Sequence, residues 1–475
     1  DDSIFVQQVG QPPSPQLRSI RWLFDEDEND FLGTNQNTPA YRVIQRYIAA
    51  VTFEQLQGQQ WINKERWMSS DHECDWHGVE CVDIPIPSSP LILDNTGRQN
   101  DNAGFTVEER MIIQIDLPEN NLRGSIPREI GFLPTVTRLG LWNNGLVGTI
   151  PTTVGRMKQL IKLYLDDNPG LVGSIPTEIG ELRNLDDMTL YNTGLTGKIP
   201  SQIGKLTRLE RFWADGVGLS GTLPTEIGNM EALANLYLDG NEIGGTIPSE
   251  IGRCTDLRDV RLFSNDLIGS FPEEIYELSN LRILYIDSNA LTGVLSPQIA
   301  KWKSMVDLEV FSNKIEGELP LEIGTLPNLR VLRLEGNKID GRIPANLGSS
   351  QNILRISLGG NRMDGTLPAS LSQSAGLVRL QLQDNFFYGT LPTWLGNFKA
   401  LKTLNLEDNR FDGSIPSSLG NLKSPIEEIQ LAKNDVTGIM PFALCNQDSL
   451  LILSSDCGGA NREVTCECCT ECSQL

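Results

Sequence analysis

An internal repeat of 24 residues is the feature that most constrains how this chain can fold. Fourteen units align on one position of the pattern LxxLxLxxNxLxGxIP, and the step between units is 24 residues except for two steps of 25. A period between roughly 20 and 29 residues with this leucine spacing is typical of a solenoid, in which each unit forms one coil. The length of 475 residues therefore reflects stacked coils rather than several globular domains. The aligned positions are Asn120, Asn144, Asn168, Thr193, Val217, Asn241, Asn265, Asn289, Asn313, Asn337, Asn361, Asn385, Asn409 and Asn434.

The first half of each unit predicts a strand followed by a sharp turn. In Leu139-Gly140-Leu141 the alternating leucines point inward and the residues beside them face outward, because side chains alternate along a strand. The asparagine lies at the turn, where its amide can bond backbone groups of neighbouring coils. Thr193 and Val217 replace it in two units and can do this only partly or not at all, so we expect a local irregularity there.

The second half of each unit carries a glycine in all fourteen units and a proline in thirteen, as in Gly148-Thr149-Ile150-Pro151. The eighth unit has Ser296 at the proline position and Pro297 one residue later. Glycine permits backbone conformations closed to other residues and proline ends helices, so this side is predicted to be extended or tightly turned. Because one coil cannot bury its own leucines, both ends of the stack need caps.

The pattern LxGxIPxxIGxL resembles plant-type extracellular leucine-rich repeats, as in receptor kinase ectodomains and polygalacturonase-inhibitor proteins, over residues 111 to about 444. The segment Cys74-Asp75-Trp76-His77-Gly78-Val79-Glu80-Cys81 matches the CxWxGVxC of that family's N-terminal cap. The resemblance implies an α/β solenoid, a right-handed superhelix with a parallel sheet on its concave side. It also implies a disulfide between Cys74 and Cys81.

The predicted domains are an N-terminal cap at 1–110, the solenoid at 111–444 and a cysteine-rich C-terminal cap at 445–475. Residues 84–108 show no repeat pattern and much Pro, Asn and Gly, which predicts an irregular insertion. Two helices with a hydroxyl N-cap and a proline at the first position should close the first coil with their apolar faces. They begin at Ser14-Pro15, leading to Leu17, Ile20 and Leu23, and at Thr38-Pro39, leading to Tyr41, Ile44, Ile48 and Val51.

Six cysteines lie in the C-terminal cap. The run Cys466-Glu467-Cys468-Cys469-Thr470-Glu471-Cys472, after Cys445 and Cys457, is similar to the CxCCTxC tail of leucine-rich-repeat proteins of diatoms and related algae. The WLFDEDEND and QRY segments of the front cap resemble the same group, which implies a secreted or membrane-tethered protein. The sequence leaves the pairing of these six cysteines open. Paired cysteines at both ends of a solenoid predict an oxidising, extracellular compartment.

The net charge of −22 argues against nucleic acids and anionic lipid surfaces as partners. No stretch approaches the roughly 18 apolar residues that a membrane span needs, so direct membrane insertion by this chain is not expected. The first residues lack the pattern of a signal peptide. We expect any signal or anchor segment to lie outside this sequence.

Catalysis is not expected. The two histidines, His72 and His77, both fall in the front cap, so no histidine-dependent triad can form on the solenoid. Composition leaves a two-carboxylate glycosidase open, but a regular outward lattice implies no deep pocket. A zinc site from the same two histidines with Cys74 and Cys81 is an alternative whose spacing fits zinc ligands poorly. Cys254 takes a leucine position of the repeat, which predicts a buried, inert thiol.

One aromatic residue occupies an outward strand position in every unit from the second to the ninth. At an aromatic content of 7%, chance would place one in roughly a quarter of the units, so eight in succession form a pattern. Strands about 4.8 Å apart would give a strip of roughly 34 Å, long enough for an extended peptide of about ten residues or a short glycan. The aromatic residues are Trp142, Tyr164, Tyr191, Trp213, Tyr237, Phe263, Tyr285 and Phe311. The acidic residues beside them are Asp166, Asp187, Asp215, Asp239, Asp259, Asp287 and Asp307.

Two interpretations of this strip stay open at the level of sequence. As a binding surface, its rings would stack on cations or sugar faces and its carboxylates would bind basic groups, hydroxyls or Ca²⁺. As a structural ladder, its aromatic residues would stabilise the sheet by stacking on one another.

The predicted function is an extracellular recognition module, receptor-like or secreted, that binds a peptide, glycan or protein on the concave face without a resident cofactor. One alternative is an adhesive matrix protein that self-associates, with Ca²⁺ bridging its acidity. Another alternative, implied by the resemblance alone, is an inhibitor of a cell-wall hydrolase.

Overall fold

Each repeat unit forms one coil, which contributes one strand to a parallel main sheet, then a short lateral strand and a 3-10 turn. The structure is a computed structural model that describes residues 13–26, 40–86, 107–422, 426–458 and 464–473. The chain divides into two compact units, Asp1–Leu219 and Ser220–Leu475, and each is a stack of such coils. The predicted fold class is confirmed.

The main sheet of the first unit consists of strands Val79–Ile86, Val107–Asp116, Arg138–Gly140, Lys162–Tyr164, Asp187–Thr189 and Arg211–Trp213. In the second unit the main-sheet strands are Asn235–Tyr237, Asp259–Arg261, Ile283–Tyr285, Asp307–Glu309, Val331–Arg333, Arg355–Ser357, Arg379–Gln381, Thr403–Asn405, Glu428–Gln430, Ile452–Ser455 and Glu471–Cys472.

The lateral strands are Arg123–Gly124, Gly145–Gly148, Asn168–Gly173, Thr193–Leu195, Gly197–Lys198, Leu219–Thr222, Glu242–Gly245, Asp266–Gly269, Ala290–Leu291, Glu316–Glu318, Lys338–Arg342, Arg362–Gly365, Phe386–Thr390, Arg410–Ser414, Asp435–Ile439 and Val464–Thr465. The α-helices are Pro15–Arg21, Ala40–Gln55 and Phe442–Cys445, and a π-turn covers Trp22–Glu26.

The parallel register places equivalent residues of successive coils side by side. In the first unit Leu139 pairs with Leu163, and Leu163 pairs with Met188; all three side chains are fully buried. Tyr164, the next residue after Leu163, points outward and is half-buried. The alternation expected from the leucine spacing is therefore present, and the leucines of neighbouring coils form the core.

The repeated asparagines join successive coils through side-chain hydrogen bonds, and together they form an asparagine ladder. Asn265 Nδ2 donates to the carbonyls of Leu238 at 2.9 Å, Leu262 at 3.2 Å and Phe263 at 3.3 Å, and its Oδ1 accepts the Ile243 amide at 3.0 Å. One buried amide thus satisfies four backbone groups that the turn would otherwise leave unpaired. The role predicted for this asparagine is confirmed.

The two coils without asparagine are irregular, as predicted. Thr193 donates its hydroxyl to the Leu190 carbonyl at 2.7 Å, and the lateral strand pairing shifts register between Asn168 and Val172. Around Val217 the chain uses two glycines in the left-handed region, Gly216 at φ 62° and Gly218 at φ 88°. Neither a hydroxyl nor an apolar side chain can replace four amide hydrogen bonds, so the backbone of these two coils adopts a different conformation.

The serine at the proline position of the eighth unit has a structural reason. The backbone N–H of Ser296 donates to the hydroxyl of Tyr276 at 3.0 Å, and proline has no N–H to give. Tyr276 is fully buried and stacks on Trp302 with ring centroids 5.0 Å apart. The indole Nε1 of Trp302 donates in turn to the Ile275 carbonyl at 3.1 Å. Ser296, Tyr276 and Trp302, which all depart from the repeat pattern, therefore belong to one packed cluster.

The front cap differs in part from its prediction. Ser14 caps the first helix by accepting the Leu17 amide at 3.2 Å, with proline at the first position as expected. In helix Ala40–Gln55, Ile44 is exposed, so its predicted inward orientation was wrong. The inward side of this helix instead carries Gln45 and Arg46, and Arg46 pairs with the fully buried Glu73 at 3.4 Å. The predicted start at Thr38-Pro39 lies outside the described residues.

The segment predicted as an irregular insertion, 84–108, is regular at both of its ends. Strand Val79–Ile86 pairs antiparallel with strand Val107–Asp116, and the register joins Ile84 to Glu109 and Ile86 to Val107. Extending both strands pairs backbone groups that an irregular loop would leave to solvent. The residues around Pro85 show no strand pattern, so the sequence did not predict this pairing. Residues 87–106 lie outside the described part of the chain.

Four disulfides lie in the two caps. Cys74 bonds Cys81 in the front cap, which removes both thiolates from the alternative zinc set. The C-terminal pairs, which the sequence left open, are Cys445–Cys468, Cys457–Cys472 and Cys466–Cys469.

Asp456 closes the asparagine ladder at the C-terminal cap. This residue is buried, and its carboxylate accepts the amides of Lys433 at 2.8 Å and Asn434 at 3.0 Å. A carboxylate thus does for the last coil what an asparagine does between coils. Sequence reading missed this role because Asp456 stands outside the repeat pattern.

Candidate functional site: the outward face of the main sheet

All eight aromatic residues predicted to face outward lie on the outward side of the main sheet, and none is in the core. Each is half-buried. Four belong to the first unit, Trp142 to Trp213, and four belong to the second, Tyr237 to Phe311. The seven acidic residues are less accessible than the prediction assumed, because Asp166, Asp259 and Asp287 are buried.

Aromatic and polar residues alternate along the face. In the second unit one row of residues in register reads Tyr237, Arg261, Tyr285, Glu309 and Arg333. Every ring in this row therefore has a polar side chain on the neighbouring strand, within reach of a cross-strand contact. The row two residues further along each strand alternates in the opposite phase, as Asp239, Phe263, Asp287, Phe311 and Glu335.

The tyrosines of the second unit donate to the acids of the following coil. Tyr237 Oη donates to Asp259 Oδ2 at 3.0 Å and Tyr285 Oη donates to Asp307 Oδ2 at 2.8 Å. Arg261 forms two hydrogen bonds with Asp259, at 3.1 and 2.9 Å, and lies 4.6 Å from the ring centre of Tyr237. Burial, followed by the charge of Asp259, raises the pKa of Tyr237. These groups are held by one another through hydrogen bonds and an ion pair, rather than through the ring-on-ring stacking that the ladder interpretation assumed.

Arg333 ends the aromatic row of the second unit. Its guanidinium contacts Glu309 Oε2 at 2.8 Å, hydrogen-bonds Glu335 and lies 3.8 Å from the ring centre of Phe311. Burial raises the pKa of Glu309, and the charge of Arg333 opposes that rise. Two acids and one ring are thus fixed by a single arginine.

The first unit shows the same arrangement around Tyr164. Its hydroxyl donates to Asp187 Oδ2 at 2.9 Å, and Arg138 lies 4.8 Å from its ring centre while pairing with Asp116 at 3.0 Å. Burial, followed by the charge of Asp187, raises the pKa of Tyr164 to about 12. Arg211 pairs with the same Asp187 at 3.1 Å. Asp116 was not among the predicted residues; through Gly140 it lies in the same row as Tyr164, two coils earlier.

The rings of Tyr191 and Trp213 contact each other in a tilted arrangement in the first unit, with ring centroids 4.4 Å apart. Trp213 Nε1 donates to Asp215, and Thr189 donates to Asp166. Burial, followed by the charge of Asp166, raises the pKa of Tyr191. This pair is therefore anchored on both sides by carboxylates.

Trp142 and Phe263 differ from the other rings. Within the described ranges, neither ring stacks on an aromatic residue, lies under a guanidinium or has a side-chain hydrogen bond. Both are half-buried, and the ladder asparagines bond their backbone carbonyls, at 3.0 Å for Trp142 and 3.3 Å for Phe263. Each unit thus presents one ring whose backbone is fixed and whose face is uncommitted.

Other predicted sites are placed as follows. Cys254 is fully buried, its Sγ donates to the Ile227 carbonyl at 3.1 Å, and burial raises the pKa of its thiol to about 11.

Among the residues that the structure describes, no group of three or more His, Cys, Asp or Glu side chains could hold a metal ion, so we make no proposal for Ca²⁺. In the same residues no helix has the length and apolar character needed to cross a membrane.

Comparison with known proteins finds leucine-rich repeats in three segments of the chain. The family described as Leucine Rich Repeat matches residues 232–254, 328–350 and 400–422. The leucine-rich repeat extensin-like protein 2 of Arabidopsis thaliana is 30% identical over 120 residues, which are 25% of this chain and 13% of that protein.

Solved structures of plant receptors are similar over more of the chain. The plant peptide hormone receptor RGFR1, in complex with RGF2, is 33% identical with a TM-score of 0.68, over 71% of this chain and 53% of that one. GASSHO1/SCHENGEN3 of Arabidopsis thaliana, in complex with CASPARIAN STRIP INTEGRITY FACTOR 2, is 28% identical with a TM-score of 0.67, over 84% and 52%. The Arabidopsis receptor kinase HAESA, with the peptide hormone IDA and the co-receptor SERK1, is 31% identical with a TM-score of 0.54, over 70% and 64%. The chain spans about half the length of the first two.

Proposed function

Because the chain is a leucine-rich-repeat protein of the plant extracellular type, we propose that it is a recognition module that binds an extended peptide on the outward face of its main sheet. The similar receptors named above are in complex with peptide hormones, RGF2 in one case and IDA in another. This likeness supports a peptide over a glycan as the ligand. The four disulfides support an extracellular location, since a reducing cytosol would not maintain them.

The observation that carries the proposal is the uncommitted ring of Phe263 among the fixed side chains of the second unit. Tyr285, Arg261 and Arg333 are held by hydrogen bonds and ion pairs, so they stiffen the face. Phe263 lies among them half-buried, and within the described residues its ring has no stacking or cation–π partner. A rigid surface loses little side-chain entropy when a ligand binds, and an aromatic ring gives a large contact area for that small loss. The ladder and the binding surface are then two properties of one face.

The length of the surface fits a short extended peptide. Within the second unit, the four aromatic strands span three steps of about 4.8 Å, or about 14 Å, which matches four to five residues at roughly 3.3 Å each.

A library of random linear peptides displayed on phage tests the proposal. We expect selection on the whole chain to enrich peptides that bind it, and those peptides to lose binding to the variant Phe263→Ala. The matched control is Phe386→Ala, which removes an exposed ring from a lateral strand. Failure to enrich any peptide, or equal binding to Phe263→Ala and Phe386→Ala, would contradict the proposal.

A further inference from the structure

A cleft in the first unit lies between the two helices of the front cap and the first coil. Its walls are formed by helices Pro15–Arg21 and Ala40–Gln55 and by the 3-10 turn Arg128–Phe132. Its volume is about 480 Å³, within the range of roughly 300 to 1,000 Å³ that is typical of small-molecule sites. The side chains that line it include Gln16, Ile20, Tyr47, Gln55, Arg128 and Glu129.

Glu129 is more enclosed than the other glutamates at its position in the repeat. It is the second residue of its 3-10 turn and is buried. Five later turns also carry a glutamate at this position, and each of these side chains is half-buried or exposed. The repeat therefore does not require burial here, and helix Ala40–Gln55, which packs against the turn of Glu129, is the reason for it. The five are Glu178, Glu226, Glu250, Glu274 and Glu322.

The hydrogen bonds around Glu129 leave acceptor capacity unused. Its Oε1 accepts from Gln16 Nε2 at 3.3 Å, whereas its Oε2 is buried and has no hydrogen-bond partner within the described residues. The amide nitrogen of Gln55 donates elsewhere, to Ser125 Oγ at 2.9 Å. A buried carboxylate oxygen without a donor is costly, so the site favours a ligand that brings donors.

Arg128 is a weak counter-charge for this carboxylate. Its Nε lies 3.5 Å from Glu129 Oε1, the oxygen that Gln16 already serves, and its side chain is 75% exposed. Ion pairs of such exposure contribute little, because water screens them and the long side chain loses entropy. A cation held inside the cleft would be closer to Glu129 and better shielded from water.

Tyr47 adds a ring and a hydroxyl to the same cleft. Its side chain is half-buried. Burial, followed by the charge of Glu129, raises the pKa of Tyr47, and the charge of Arg128 opposes that rise. The phenol therefore stays protonated at neutral pH, and its ring offers a face on which a cation can lie.

We propose that Glu129, Tyr47 and Gln16 form a second binding site, which takes an ammonium or guanidinium group carried on a short apolar stem. The carboxylate accepts charge-assisted hydrogen bonds from the cation, and the ring of Tyr47 stacks on it. The stem packs on Ile20, which lines the same cleft. This site goes beyond the proposed function and does not rest on it, since none of its residues lies on the main sheet.

Isothermal titration of the whole chain with butylguanidinium chloride and with butylurea, at constant ionic strength, tests the site. Butylurea has a similar shape and the same stem but no charge. We expect saturable binding of butylguanidinium and about tenfold weaker binding of butylurea. The variant Glu129→Gln keeps an acceptor for Gln16 and should bind butylguanidinium about tenfold more weakly. A parallel titration with butylammonium chloride shows which of the two cations the site prefers.

The matched control is Glu178→Gln, which removes the same charge from the same position of a later turn. It should bind butylguanidinium as the unmodified chain does, with the same melting temperature. If Glu129→Gln lowers the melting temperature, Tyr47→Phe provides the test, because it keeps the ring and should weaken binding by about threefold. No saturable binding of either cation, or equal binding of butylurea, would overturn the proposal. Equal binding by Glu129→Gln and Glu178→Gln would also overturn it, since attraction to the net charge of −22 would then suffice.

Discussion

At the scale of single residues, the rings of the outward face fall into two groups. Tyr164, Tyr237 and Tyr285 each donate to an acid of the next coil, whereas Trp142 and Phe263 have uncommitted rings. Aromatic strand propensity favours both groups equally, so the sequence shows them as one strip. Only the side-chain contacts separate residues that hold the face from residues available to a ligand. The two groups should respond differently to substitution.

Removing the hydroxyl of Tyr285 should lower stability. Tyr285→Phe leaves Asp307 without its 2.8 Å donor, and Asp307 Oδ1 already lacks a partner. We expect a loss of about 1 to 2 kcal/mol in the free energy of unfolding, measured by urea denaturation. The comparison variant, Phe263→Tyr, adds a hydroxyl to an uncommitted ring and should change stability by less than about 0.5 kcal/mol. Equal stabilities for Tyr285→Phe and the unmodified chain would show that the ladder bonds contribute nothing.

Mild acidification should stabilise the fold through the aspartates of the outward face. Burial raises the pKa of Asp166, Asp287 and Asp307, so the folded chain binds protons at these sites more tightly than the unfolded chain does. Their ionisation therefore disfavours folding at neutral pH, and this penalty disappears as pH falls through the raised pKa values. We expect the melting temperature to rise as pH falls from 7 toward the ordinary aspartate pKa of about 4, and to rise less in Asp287→Asn. A melting temperature that falls steadily over this range would contradict the assignment.

At the scale of elements, departures from the repeat consensus indicate where coils are joined by something other than the common contacts. Ser296 stands at a proline position because its N–H serves Tyr276, and Asp456 stands beyond the last repeat because its carboxylate ends the ladder. Neither contact could be predicted from the repeat itself, since each depends on a partner about 20 residues away in the chain.

Restoring the consensus proline should destabilise the eighth coil. Ser296→Pro removes the N–H that Tyr276 Oη accepts at 3.0 Å, inside a buried cluster. We expect a loss of about 1 to 3 kcal/mol in the free energy of unfolding. Ser296→Ala keeps the N–H and serves as the matched control, with a loss of at most about 1 kcal/mol from the side-chain cap on Gln298. If Ser296→Pro is no less stable than Ser296→Ala, the Tyr276 contact is not the reason for the serine.

Truncating Asp456 should loosen the last coils first. Asp456→Ala leaves the amides of Lys433 and Asn434 without acceptors, which costs about 1 to 3 kcal/mol for each buried group. Because coils of a repeat protein interact mainly with their neighbours, the loss should be local. Hydrogen exchange followed by mass spectrometry should show faster exchange in residues 426–458 and unchanged exchange around Asn265. Uniformly faster exchange would instead indicate a global effect.

At the scale of the whole molecule, the period of the repeat predicts most of the fold. Leucine spacing assigns the core, and the asparagine position predicts the ladder and its two irregular coils. Predictions fail where no period exists. Ile44 is exposed, whereas Arg46 of the same helix is buried and pairs with Glu73. The pairing of Val79–Ile86 with Val107–Asp116 joins strands that are far apart in the sequence. The outward rings could be predicted from sequence, but their contacts could not.

The central claim is that the outward face of the main sheet binds a peptide through its uncommitted rings. The most direct test is the dissociation constant of a phage-selected peptide for Phe263→Ala and for the unmodified chain, measured by isothermal titration beside their unfolding midpoints. The account predicts about tenfold weaker binding with a nearly unchanged midpoint, because Phe263 contacts the ligand more than it supports the sheet. An unchanged dissociation constant, or a loss of binding matched by an equal loss of stability, would contradict it.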